Sequence, residues 1–195
     1  MPLRRVLVAC LATAAVLSSA AAPASAAKLR LVDARGDMWV SVDDGAPVPA
    51  PGSSLGDVTR AKVSYRDDKV RVRLSFVDIA KRGAYAQYAV VLQGHGANPT
   101  REVVLDAAPG GWAGRVRVFK RHGDLVDDCA VTHDIDYVHN TVRLNVERGC
   151  LGKPGSVRAN VNVYRATGAG TFYSDNPHDG LDHSDAWTPW VKRAH

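Results

Sequence analysis

Val58-Thr59-Arg60-Ala61-Lys62-Val63-Ser64-Tyr65-Arg66-Asp67-Asp68-Lys69-Val70-Arg71-Val72-Arg73-Leu74-Ser75-Phe76 is the stretch that decides the fold. In its first half Ala61, Val63 and Tyr65 share one side and Arg60, Lys62 and Ser64 the other. In its second half Val70, Val72, Leu74 and Phe76 alternate with Arg71, Arg73 and Ser75. A period of two is the pattern of a half-buried strand. A two-residue turn at Asp67-Asp68 pairs Tyr65 with Val70, Val63 with Val72 and Ala61 with Leu74. A slip of one residue would carry every arginine into the core, so the pattern specifies the register as well as the hairpin.

Outward from this hairpin, similar short segments recur: Leu29 to Val32, Met38 to Val42, Tyr85 to Gln93, Glu102 to Leu105, Arg115 to Phe119, Ala130 to Tyr137, Thr141 to Val146 and Val157 to Tyr164. Only Asp78 to Ala84 reads as a helical turn or two. About ten short strands broken by Gly, Pro, Asp and Asn predict an all-β chain, an antiparallel β-sandwich of jelly-roll or immunoglobulin-like arrangement. A closed β-barrel is the alternative. Ala46 to Gly56, with Pro47, Pro49 and Pro51, reads as an extended loop barred from a central strand. From about residue 166 the alternation fades into an irregular tail.

The amino terminus reads as a removable export signal. Arg4 and Arg5 precede an uncharged run from Val6 to Ala27, and Ala24-Ser25-Ala26 supplies the small residues a signal peptidase accepts, which predicts cleavage after Ala26. The strongly apolar part, Val6 to Leu17, is shorter than the roughly 20 residues of a membrane span, so no transmembrane anchor is expected after cleavage. Leu7-Val8-Ala9-Cys10 imitates a lipidation site, but only four apolar residues precede the cysteine. Residues 27–195 then form a single domain of 169 residues, enough for one core. The whole chain carries +5, and losing Arg4 and Arg5 leaves about +3, below what a dedicated nucleic-acid binder shows. Cys129 and Cys150 remain, and in an oxidising compartment they should pair; the C-x-x-C spacing of metal or redox sites is absent.

The export signal, Asp33-Ala34-Arg35-Gly36-Asp37, the arginine-faced hairpin and Cys150-Leu151-Gly152-Lys153-Pro154 together resemble small secreted proteins of actinobacteria. The resemblance implies a secreted β-sandwich. It carries over no activity and no catalytic residue.

Three features are candidates for chemistry. On the hairpin's polar face Arg60, Lys62, Arg71 and Arg73 crowd together, with Lys62 opposite Arg73. Like charges so placed cost stability unless neighbouring aspartates or an anionic partner relieve them; Arg115 and Arg117 would enlarge the face if their strand is adjacent. Trp112, after Gly110-Gly111, is the tryptophan best placed to stack on a ligand, whereas Trp187 and Trp190 suit an anchor for the carboxyl terminus. The tail gathers Asp175, Asp179, Asp182, His183 and Asp185, a set a hard cation such as calcium would neutralise. As an EF-hand-like loop it is incomplete, since 177 is proline and 186 alanine; a solvated surface loop is the plainer reading. Gly52-Ser53-Ser54-Leu55-Gly56 matches G-x-S-x-G, but a proline-rich loop precedes it and a strand follows, not the strand-turn-helix that exposes a nucleophile. His133 shares the apolar side of its strand and reads as packed; His95, between glycines, reads as a turn residue.

These readings favour a secreted, non-catalytic binding module for an anionic or carbohydrate polymer of the cell envelope. A secreted hydrolase built from loop Asp and His residues and a domain that binds or inhibits another secreted protein are the alternatives. No resident cofactor is expected beyond the calcium reading of the tail.

Overall fold

The arginine-bearing hairpin forms in the register its alternation predicts. Strand β4 (Val58–Arg66) pairs antiparallel with β5 (Lys69–Phe76), setting Tyr65 opposite Val70, Val63 opposite Val72, Ala61 opposite Leu74 and Lys62 opposite Arg73. The turn is closed by Asp67 at φ +53°, a left-handed conformation that a short polar side chain tolerates. The computed structural model describes residues 27–43, 45–168, 170–178 and 186–194. Residues 1–26, read above as an export signal, and the tail candidates Asp179, Asp182, His183 and Asp185 lie outside the described residues.

Thirteen strands are found among the described residues, the others being β1 (Lys28–Val32), β2 (Trp39–Val42), β3 (Val48–Pro49), β6 (Tyr85–Gly94), β7 (Thr100–Ala107), β8 (Arg115–Lys120), β9 (Val131–Asp136), β10 (Thr141–Glu147), β11 (Ser156–Gly168), β12 (Thr171–Asp175) and β13 (Val191–Lys192). They make two antiparallel sheets, a five-stranded one ordered β1-β4-β5-β10-β9 and an eight-stranded one ordered β3-β2-β12-β11-β6-β7-β8, with β13 also on β11. Neither sheet closes, so the barrel alternative is wrong and the sandwich is right. The inward residues of both sheets, including Val63, Val72 and Leu144 from one and Val90, Leu105 and Val161 from the other, form one continuous buried core.

Two expectations are corrected. Asp78 to Ala84 is not helical: the Asp78 carbonyl accepts Gly56 N–H at 2.8 Å, and Arg165 donates to the carbonyls of Ala80 (3.0 Å) and Arg82 (2.8 Å). The carbonyls a helical turn would use are engaged elsewhere. A 3₁₀ turn occurs instead at Arg148–Leu151. The segment from about 166 is not irregular throughout either, since β11 runs on to Gly168, β12 follows through a tight turn with Gly168 opposite Thr171, and β13 returns to β11. The glycines of that turn read in the sequence as loss of alternation. Cys129 and Cys150 form a disulfide with Cα atoms 4.9 Å apart, tying the loop before edge strand β9 to the turn after β10.

Candidate functional sites

The outward face of the five-stranded sheet carries the basic cluster, and the pairing makes it larger than the hairpin alone. Register brings Arg30 of β1 beside Lys62, Lys62 beside Arg73, and Arg73 beside Arg143 of β10. With strands about 4.8 Å apart, four cations stand in one row about 15 Å long, perpendicular to the strands. Asp134 of β9 ends the row, 3.5 Å from Arg143. Lys28 and Arg71 flank it through Ser64, and Arg60 lies on its other side, beside Ser75.

Within the row the neighbouring strands therefore add positive charge to the hairpin; the acid β10 brings to this face, Glu147, pairs with Lys69 at 3.2 Å, away from the row. Arg30, Arg60, Lys62, Arg71 and Arg73 form no ion pair among the described residues. The ammonium of Lys62 is held below its ordinary pKa, first by the charge of Lys28, then by burial and by Arg30, Arg73 and Arg66. Shallow depressions open on both sides of Lys62 and Arg73, one lined by Arg71, Arg143 and Asn145, the other by Arg30, Arg60 and Ser75. Arg115 and Arg117 do not extend this face. Their strand, β8, is the edge of the other sheet, and Arg117 pairs with Asp106. Arg30 and Arg143 were missed by sequence reasoning; both sit at outward positions of recognisable strands, but only the strand order shows that they are adjacent.

The aromatic candidates are engaged with the protein. Trp112 is half-buried, its ring edge-on to Tyr137 at 6.4 Å and 5.9 Å from the guanidinium carbon of Arg165. Trp187 and Trp190 lie 4.6 and 5.0 Å from the guanidinium of Arg158 on β11, and Thr188 N–H donates to Ala159 O at 2.8 Å, so this segment does anchor the carboxyl-terminal strand. His133 Nε2 lies 3.1 Å from Ala113 O. Ser54 borders a depression whose described lining is Gly52, Ser53, Leu55, Arg82, Thr167 and Tyr173, with no histidine or carboxylate among these residues.

Of the tail's candidate ligands only Asp175 is among the described residues, and its carboxylate neighbours come from the front of the chain. Asp33 and Asp37 bracket the crossover from β1 to β2, and one oxygen from each, with one from Asp175, lie within 4.8 Å of one another. Asp57, just before β4, adjoins them: its Oδ2 accepts Gly36 N–H at 2.8 Å. Gly36 has φ +76°, and a Cβ there would meet Pro51 O at 2.9 Å, so only glycine makes this turn without strain. Asp33, Asp57 and Asp175 are buried, at 8%, 1% and 3% exposure. Burial pushes the Asp175 carboxyl up to about 7; hydrogen bonds from Val58 and Asn176 oppose this, while the charges of Asp37 and Asp57 add to it. Burial likewise raises Asp57, against the Gly36 hydrogen bond. Asp57 had no signal in the sequence beyond its place before a strand, and Asp33 and Asp37 were visible only as a motif.

No protein-family model, no curated protein and no solved structure matches this chain.

Proposed function

We propose that this chain is an exported, non-catalytic domain that binds an anionic polymer of the cell envelope across the outer face of its five-stranded sheet. The observation that carries this reading is the cross-strand row Arg30–Lys62–Arg73–Arg143, which gathers like charges at a cost in stability and leaves three of the four without an ion pair among the described residues. A polyanion lying along the row would relieve that repulsion and release its own counterions, so affinity should fall steeply with salt. Export is supported by the signal-like residues 1–26 and by the Cys129–Cys150 disulfide, a bond that persists outside the reducing cytosol. Resemblance to small secreted actinobacterial proteins agrees with this.

The test is retention on immobilised dextran sulfate and on polyphosphate, eluted with a salt gradient. The double substitution Lys62→Ser and Arg73→Ser should elute at clearly lower salt than the wild type while its thermal melt stays the same or rises. Equal elution of the two proteins would remove the basic face as the binding surface. A polymer-independent partner captured by both proteins would favour the protein-binding alternative.

A further inference from the structure

We propose that Asp33, Asp37, Asp57 and Asp175 together bind one calcium ion, held where the β1–β2 crossover, the start of β4 and the end of β12 meet. Three of the four supply carboxylate oxygens within 4.8 Å of one another. That is the spread expected around a single ion whose oxygen ligands stand about 2.4 Å away. The fourth gives an independent indication. Asp57 is 1% exposed, Gly36 N–H takes its Oδ2, and its buried Oδ1 has no hydrogen-bond partner among the described residues. The charge of Asp37 acts on Asp57, and that of Asp57 on Asp175, so this carboxylate adjoins the other three and a small adjustment would bring its free oxygen to the ion. Oδ1 of Asp37 is likewise buried and without a hydrogen-bond partner among the described residues.

Charge points the same way. Asp37, Asp57 and Asp175 form no ion pair with any lysine, arginine or histidine among the described residues. The charge of Arg35 eases Asp57, but crowded, buried carboxylates repel one another and lose hydration, and a divalent ion removes both penalties. Among the described residues the cluster holds only carboxylate oxygens, with no imidazole or thiolate, which selects a hard ion over zinc or copper. Calcium accepts six to eight oxygens in irregular arrangement, whereas magnesium demands a near-ideal octahedron and keeps its waters; carboxylates fixed on separate backbone elements suit the former. Such an ion would fasten the crossover to both sheets.

The experiment is thermal melting of the purified protein in EDTA, then with calcium or magnesium chloride. At calcium about 100-fold above its dissociation constant the midpoint should rise by about 5–10 °C, return on adding EDTA, and respond less to magnesium. Asp37→Asn and Asp57→Asn should abolish the rise, and in EDTA both should melt at or above the wild-type temperature because each removes a crowded charge. Asp37 is half-buried and accepts no backbone hydrogen bond among the described residues, so its variant tests the site with little disturbance of the fold. Absence of any calcium-dependent rise at millimolar calcium would overturn the proposal. So would a rise that survives in Asp37→Asn but disappears in Asp182→Asn/Asp185→Asn.

Discussion

Val58, the first residue of β4, donates its backbone N–H to the carboxylate of Asp175, the last residue of β12, at 2.6 Å, so a buried hydrogen bond crosses from one sheet to the other. The second oxygen of Asp175 accepts Asn176 N–H at 2.9 Å. Sandwich layers are ordinarily held to each other by apolar side chains alone. Here a strand end is pinned to the opposite sheet by a polar group, which also fixes where the crossover carboxylates gather.

Asp175→Ala would strip an acceptor from both N–H groups. A buried donor left without a partner costs about 1–3 kcal/mol, so the expected loss is about 2–4 kcal/mol, read by urea unfolding in EDTA. Asp175→Asn keeps one acceptor oxygen and should lose about half as much. An alanine variant as stable as the wild type would show that the cross-sheet bond contributes nothing.

Cys129 and Cys150 close a loop of 21 residues in sequence separation. In the chain-entropy account such a link is worth about 3 kcal/mol. Reduction should then lower the melting midpoint by about 6–12 °C for a domain of this size, with mass spectrometry of the alkylated protein verifying that the thiols were freed. The loop bearing Cys129 lies next to edge strand β9, so hydrogen exchange after reduction should rise first in β9 and only later in β4 and β5.

How legible all this was depended on whether a feature is local. The hairpin was readable to the exact pair, Lys62 opposite Arg73, because period two and a two-residue turn leave one register that hides the valines. The basic row was half readable: Arg143 and Arg30 reach it only through strand order, which nothing local encodes. The acidic recess was least readable, since Asp33, Asp57 and Asp175 come from three distant turns. Asp175 was singled out with the aspartates that follow it, which lie outside the described residues; the carboxylates it meets among the described ones, Asp33 and Asp37, come from the front of the chain. β12 was lost because glycines at a tight turn look like the end of a pattern, and the expected helix at Asp78 to Ala84 failed because Arg165 and Gly56 compete for its carbonyls.

Asp106 predicts how stability depends on acid. On the outer face of the eight-stranded sheet it accepts hydrogen bonds from Tyr85 Oη, Gln87 Nε2 and the Arg117 guanidinium. Burial raises its pKa, but those hydrogen bonds and the Arg117 charge outweigh burial and hold the carboxyl below the usual range. With the folded pKa below the unfolded one, the unfolded chain binds the proton more readily as pH falls. The stabilisation is therefore complete above the unfolded pKa of about 3.9 and is lost as pH drops through the folded value. Asp106→Asn should cost about 1–3 kcal/mol at neutral pH and almost nothing near pH 2, so urea-unfolding free energies of the two proteins should converge in acid. A constant difference across that range would mean that the charge of Asp106 is not what the sheet uses.

Gly56 and Arg165 should prove strongly coupled. Arg165 points inward from β11, is 1% exposed, and is fixed at its far end by the carbonyls of Ala80 and Arg82. Its stem passes directly over Gly56, where a Cβ would come to 2.7 Å from Arg165 Cγ, and the backbone there has φ +98°. Anchored at both ends, the side chain cannot swing aside as a surface arginine would. Gly56→Ala thus meets two penalties, left-handed strain and overlap with the stem, together about 2–4 kcal/mol. In an Arg165→Ala background the overlap disappears while the strain remains, and the same glycine change should cost only about 1–2 kcal/mol. The difference between the two costs, measured by urea unfolding of all four proteins, is the steric share of the contact. Equal costs in both backgrounds would mean that backbone conformation alone requires a glycine at position 56.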